Sequence, residues 1–167
     1  MSIDYNLIVS IRNSGFLGFL KVSELCLDYS LIPAQKGVYF VLYTSKREPY
    51  FLNVGTGGHF KGRNPNVTVV MLEKNWVENT LVIYIGQAGG GTSSATLHSR
   101  IKQYLRFGMG NPVGHYGGRL IWQISDSKNL LLCWKPLSAE DPREVEKELI
   151  REFVLKYGRM PFANLSA

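Results

Sequence analysis

Residues 80–107 read TLVIYIGQAGGGTSSATLHSRIKQYLRF. The apolar run 81–85 predicts a buried strand. A glycine-rich turn follows, then a Thr/Ser cluster of the kind that caps helices, then a helix-period run over about 95–107. Leu97, Ile101, Tyr104 and Leu105 make the apolar stripe of that helix, and His98 lies near it and reads as packed. Arg100 and Tyr104 are four apart and share one face, while Lys102 and Arg106 fall on the far side. Tyr84 ends the strand, so an aromatic and an arginine meet at a strand-to-helix junction.

A second strand is expected at 37–44, GVYFVLYT, an unbroken β-branched and aromatic run. Val38, Phe40 and Leu42 point to one face, Tyr39, Val41 and Tyr43 to the other, and the continuity predicts a central strand covered on both sides. Between the two strands, residues 50–79 form an irregular insertion rich in glycine and proline. It carries His59, Lys61 and Arg63 beside Phe60, a mixture suited to gripping a phosphate backbone and stacking on a base. A solvated loop whose phenylalanine packs down is equally compatible. Residues 69–77 predict a short helix or strand leading back to the sheet.

Downstream, 108–118 reads as a glycine-rich loop that carries His115, with Arg119 just beyond. The apolar runs 120–124 and 130–134, separated by SDSKN, predict a hairpin. A helix should start near Pro142 and stop at Gly158. Residues 1–35 read as a packing arm that covers one sheet face, with a short helix over 22–29 ended by Pro33. The fold class expected is α/β in the broad sense (α+β): a small central, mainly antiparallel sheet flanked by helices, with residues 36–167 as the main domain.

Composition sets the bounds. The 167 residues suffice for one domain with a sizeable core. With 45% hydrophobic and 19% charged residues, extensive disorder is not expected. Nineteen Lys and Arg against thirteen acids give a net charge of +6, an excess that favours a polyanion such as nucleic acid as partner. Cys26 and Cys133 are far apart in apolar runs and read as reduced core residues, matching a cytoplasmic setting. The start MSIDYNLIV lacks the pattern of a signal peptide, and no apolar run approaches bilayer length, so no membrane association is expected. The amides of GGGTSS, 89–94, would suit a phosphate, but the Gly-Lys-Ser/Thr ending of a nucleotide-binding loop is missing, which argues against a nucleotide cofactor. No His/Cys spacing suggests zinc.

One carboxylate is out of place. On the helix 145–157, Val145, Leu149, Ile150, Phe153, Val154 and Tyr157 form the apolar face, and Glu146 falls near its middle. A buried carboxylate must be neutral, paired with a cation or bound to a metal. Glu146 and the inward-leaning Arg100 suit a buried ion pair. They equally suit a metal ion and a phosphate, the combination that neutralises charge in phosphoryl transfer.

In this order the residues resemble the GIY-YIG nuclease domain. Gly37, Val38 and Tyr39 match its first motif, a common variant of the name, and Tyr84, Ile85 and Gly86 its second. Leu97 to Arg100 match its helical L-x-x-R, with Tyr104 four residues on where members carry an aromatic or His. Glu146, Leu149 and Ile150 match E-x-x-L-I, and Pro161 and Asn164 match P-x-x-N. The resemblance spans 36–164. This chain departs in its long 50–79 insertion, in Gln87 where Lys is frequent, and in the long loop 88–94. It implies hydrolysis of a phosphodiester with one divalent metal, Mg²⁺ or Mn²⁺, held by Glu146. It implies Tyr39 against the attacking water as base or orienter, Arg100 on the phosphate, and Tyr84 and Tyr104 completing the hydrogen-bonding shell. Gly37, Gly86 and Asn164 would be supports, Asn164 for the Glu146 region.

The expectation is therefore a metal-dependent DNA endonuclease of restriction, repair or mobile-element type. His59, Lys61, Arg63, Lys102, His115 and Arg119 are its candidate nucleic-acid contacts, with proton transfer a second role for His115. A nucleic-acid-binding module of the same fold is the alternative, and a structural domain with a Glu146–Arg100 ion pair a third. A homodimer would suit a cutter of palindromic double strands.

Overall fold

The computed structural model describes residues 2–115 and 117–166, and positions 1, 116 and 167 lie outside the described residues. In chain order the elements are α1 (Ile8–Asn13), β1 (Leu17–Lys21), α2 (Val22–Leu27), β2 (Gly37–Leu42), α3 (Val69–Asn75), β3 (Val82–Ala88), α4 (Leu97–Gly108), β4 (Leu131–Pro136) and α5 (Pro142–Tyr157). The four strands form one antiparallel sheet in the order β1-β4-β2-β3. The fold is α+β, as the patterning predicts.

β2 is one of the two inner strands, and every residue in it is buried. Its two faces divide as alternation requires. Val38, Phe40 and Leu42 join a core with α1 and α5, while Tyr39 and Val41 join a core with α2, α3 and α4. Tyr39 lies opposite Gly86 on β3, and a Cβ at Gly86 would overlap the Tyr39 phenol. That glycine is there to leave room for a ring. At Gly37 a Cβ would meet the Lys135 carbonyl on the neighbouring strand β4.

Both long helices are stopped and started by their own side chains. Thr96 caps α4 in a reciprocal pair with Ser99, accepting from the Ser99 N–H at 3.1 Å. Asp141 caps α5, Pro142 opens it, and Gly158 ends it with φ of 74°. The apolar face of α5 packs on the sheet through Leu149, Ile150 and Phe153.

Two expectations are corrected. Residues 120–124 are not a strand. The run Arg119–Gln123 is a 3₁₀ helix whose Leu120, Ile121, Trp122 and Gln123 are all buried. A short apolar run has the same pattern in either form, and enclosure on all sides selects the helix. The expected hairpin is therefore absent, and β4 pairs instead with β2 and β1. The first 35 residues also do more than cover one face. β1 extends the sheet, α1 packs on one face and α2 on the other. β1 is hard to read because Gly18 and Phe19 both take positive φ at a break in register.

The insertion is clasped at its base by a buried glutamine. Gln123 Oε1 accepts from the Val67 N–H at 2.9 Å, and its Nε2 donates to the carbonyls of Leu52 at 3.0 Å and Val67 at 2.9 Å. α3 follows, capped by Thr68. Replacing Gln123 by Leu strands these backbone groups in the interior, at about 1–3 kcal/mol. The expected result is a lower melting temperature, with faster amide exchange confined to residues 53–67. Unchanged exchange there would show that the glutamine is not the clasp.

Candidate active site

The strands and α4 bring three tyrosines together on one face of the sheet. Tyr84 stacks on Tyr104 with ring centroids 5.5 Å apart, and Tyr39 meets Tyr84 edge-on at 6.0 Å. Tyr104 donates to the Gly118 carbonyl at 2.7 Å, which straps the glycine-rich loop over the cluster. That loop carries His115, whose ring packs 4.2 Å from Tyr104 and whose Nε2 lies 3.3 Å from Tyr39 Oη. Tyr39 and Tyr104 are fully enclosed, while Tyr84 keeps 8% exposure and is the one of the three that solvent reaches.

Arg100 and Glu146 complete the group from opposite layers. Arg100, half-buried on α4, donates to Gln103 Oε1 at 3.2 Å. Glu146, half-buried on α5, makes no ion pair among the described residues. Its charge nevertheless acts on Tyr84 and Tyr39, and Arg100 acts on all three. The two helices flank opposite faces of the sheet, so their functional side chains meet at its β3 side, the open edge of the strand order.

Electrostatics assigns the protonation states. Burial raises the Glu146 carboxyl to about 7, against the opposing pull of Arg100, Arg143 and Lys147. Burial, with the Glu146 charge behind it, lifts Tyr84 to about 12, and Tyr39 and Tyr104 are held well above the ordinary phenol. The tyrosines are thus hydrogen-bonding hydroxyls at neutral pH. Tyr39 as a free base in the resting protein does not fit its enclosure. His115 is pushed down to about 3, by burial first and Arg100 second.

The other expected residues divide. Asn164 supports β3 and not Glu146: its amide accepts from the Ile85 N–H and donates to the Ile85 carbonyl, both at 2.9 Å, pinning the strand between Tyr84 and Gly86. His115 is 1% exposed and presents no surface to a nucleic acid, a correction that follows from its burial behind Tyr104. Lys102 leans over the Tyr29 ring, on the side of α4 away from Arg100. His59, Lys61 and Arg63 are exposed at the tip of the insertion, and Arg119 opens the 3₁₀ helix half-buried. Phe60 lies within contact range of a Cβ built at Gly114, next to His115, and so does Gln103, the partner of Arg100. The insertion tip therefore stands beside the site.

Arg143 was not among the expected residues. It lies one turn before Glu146 on α5, acts on the Glu146 charge and stands against Gly90 and Gly91. The i, i+3 spacing to Glu146 was the available signal. The glycine loop is no phosphate cradle in this state, because Gly90 N–H donates to Gln87 and Gly91 N–H to Asp141.

Among the described residues no three His, Cys, Asp or Glu side chains converge. A metal would hang on the single Glu146 carboxylate, with water and phosphate oxygens filling its shell, an arrangement that fits Mg²⁺ or Mn²⁺. Comparison with family models, curated proteins and solved structures finds no match.

The raised Glu146 value has a sign in stability. Its folded-state pKa lies above the ordinary 4.5, so its favourable contribution is full below 4.5 and lost as pH rises through about 7. Glu146→Gln is therefore expected to melt above wild type at pH 8, with the gap closing toward pH 5. A Gln variant that melts well below wild type at pH 8 would restore the ion-pair reading.

Proposed function

We propose that the chain is a divalent-metal-dependent endonuclease that hydrolyses phosphodiester bonds in DNA, of the GIY-YIG kind. The observation that carries this reading is the convergence of Tyr39, Tyr84, Arg100, Tyr104 and Glu146 from four elements, with a carboxyl that has no ion pair among the described residues set within the field of an arginine.

In this reading Arg100 faces the non-bridging oxygens of the scissile phosphate and offsets the charge that builds there as water attacks. Its bond to Gln103 holds the guanidinium in place beforehand. Tyr84, a neutral hydroxyl at the opening, orients the water. Glu146 would hold the Mg²⁺, which when bound would supply Lewis-acid neutralisation of the phosphate and a more acidic water. The net charge of +6 and the cations around the opening — Lys61 and Arg63 on the insertion, Arg143 on α5 — draw in the polyanion.

The experiment is cleavage of supercoiled plasmid with Mg²⁺. Wild type is expected to nick or linearise it, EDTA to abolish cutting, and Arg100→Ala and Glu146→Ala each to lower the rate at least ~100-fold. Because the carboxyl must be ionised to hold the metal, the rate should rise with pH through about 7 at limiting Mg²⁺ and shift to lower pH as Mg²⁺ is raised. Tight DNA binding with no cleavage in Mg²⁺ or Mn²⁺ would favour the binding-module reading instead.

A further inference from the structure

His115 is the buried titratable group that the reaction above leaves without a task. It comes from a loop, yet its side chain is 1% exposed, and its ring is held between Tyr39 and Tyr104. Its Nδ1 is buried and finds no hydrogen-bond partner among the described residues. Its low pKa keeps the ring uncharged at neutral pH, so one nitrogen carries hydrogen and the other a lone pair. An orphaned buried N–H is rarer and costlier than an orphaned acceptor. The hydrogen therefore belongs on Nε2, which donates to Tyr39 Oη.

With its oxygen accepting from His115, the Tyr39 hydroxyl is held inside the cluster. The Tyr39 ring in turn meets Tyr84, the partly exposed member of the cluster, edge-on at 6.0 Å. The enclosed histidine thus fixes the ring against which Tyr84 packs.

We propose that His115 is a positioning residue for Tyr39: through Nε2 it fixes the Tyr39 hydroxyl, and with it the ring against which Tyr84 packs. The kinetic consequence rests on the hydrolytic reading above, whereas the direction of the His115–Tyr39 hydrogen bond does not.

Histidine ¹⁵N NMR of the full chain tests the direction of that bond without any cleavage, with His115→Gln assigning the signal. The expected result is an uncharged ring with the hydrogen on Nε2 between about pH 5 and pH 8. An imidazolium near pH 6, or hydrogen on Nδ1, would overturn the proposal. In the cleavage assay, His115→Phe should lower kcat on the order of 100-fold with KM little changed. His115→Gln, whose amide N–H can take the place of Nε2–H, should recover most of that loss with an unshifted pH profile. A folded Gln variant as slow as Phe, or an effect on KM alone, would overturn it. If wild type cuts no DNA, the hydrolytic reading fails, and the NMR result alone decides the direction of the His115–Tyr39 bond.

Discussion

The Glu146 carboxyl sits half-buried within reach of the Arg100 field, yet out of contact with it. That separation is the constraint on which the site depends. Closer approach would make an ion pair that spends both charges on each other. Full exposure would leave an ordinary surface acid. The fold holds the two apart by placing them on helices that flank opposite faces of the sheet, with β3 between. In the proposed reading a cation and a phosphate would lie in the gap between them, because each satisfies one of the two groups.

The rest of the molecule reads as a frame for that gap. β2 and β3 present Tyr39 and Tyr84 side by side, and Gly86 gives Tyr39 its room. Asn164 pins β3 from the outside through the backbone of Ile85. Tyr104 straps down the loop that delivers His115, and Gln123 clasps the insertion whose tip stands beside Arg100. These are local devices, each a hydrogen bond or a missing side chain, and each fixes one element relative to the next.

Much of this was legible in the sequence, and the reason differs by element. β2 and β3 are unbroken apolar runs, and α5 has its cap, its proline and its terminal glycine in order. Glu146 stood out because helical periodicity puts it where an acid does not belong. The resemblance of the motifs points to Tyr39, Tyr84 and Arg100, and the structure brings their elements together on the sheet. What stayed hidden depends on tertiary enclosure. His115 lies in GHYGG, a composition that reads as exposed loop, and only the Tyr104 strap buries it. Gln123 sits in an apolar run that patterning assigns to a strand, and its amide matters only once both ends of the insertion lie beside it. β1 escapes because its positive-φ residues break the alternation that identifies strands.

The proposed function rests on Glu146, which makes no ion pair among the described residues, holding a divalent cation. Its ionisation can be followed directly by ¹³C NMR of labelled glutamate side chains, with Glu146→Gln to assign the signal, titrated without and with Mg²⁺. The account predicts titration near pH 7 without metal and a marked fall when Mg²⁺ is present. A carboxyl that titrates in the ordinary glutamate range, or one that ignores Mg²⁺, would contradict it.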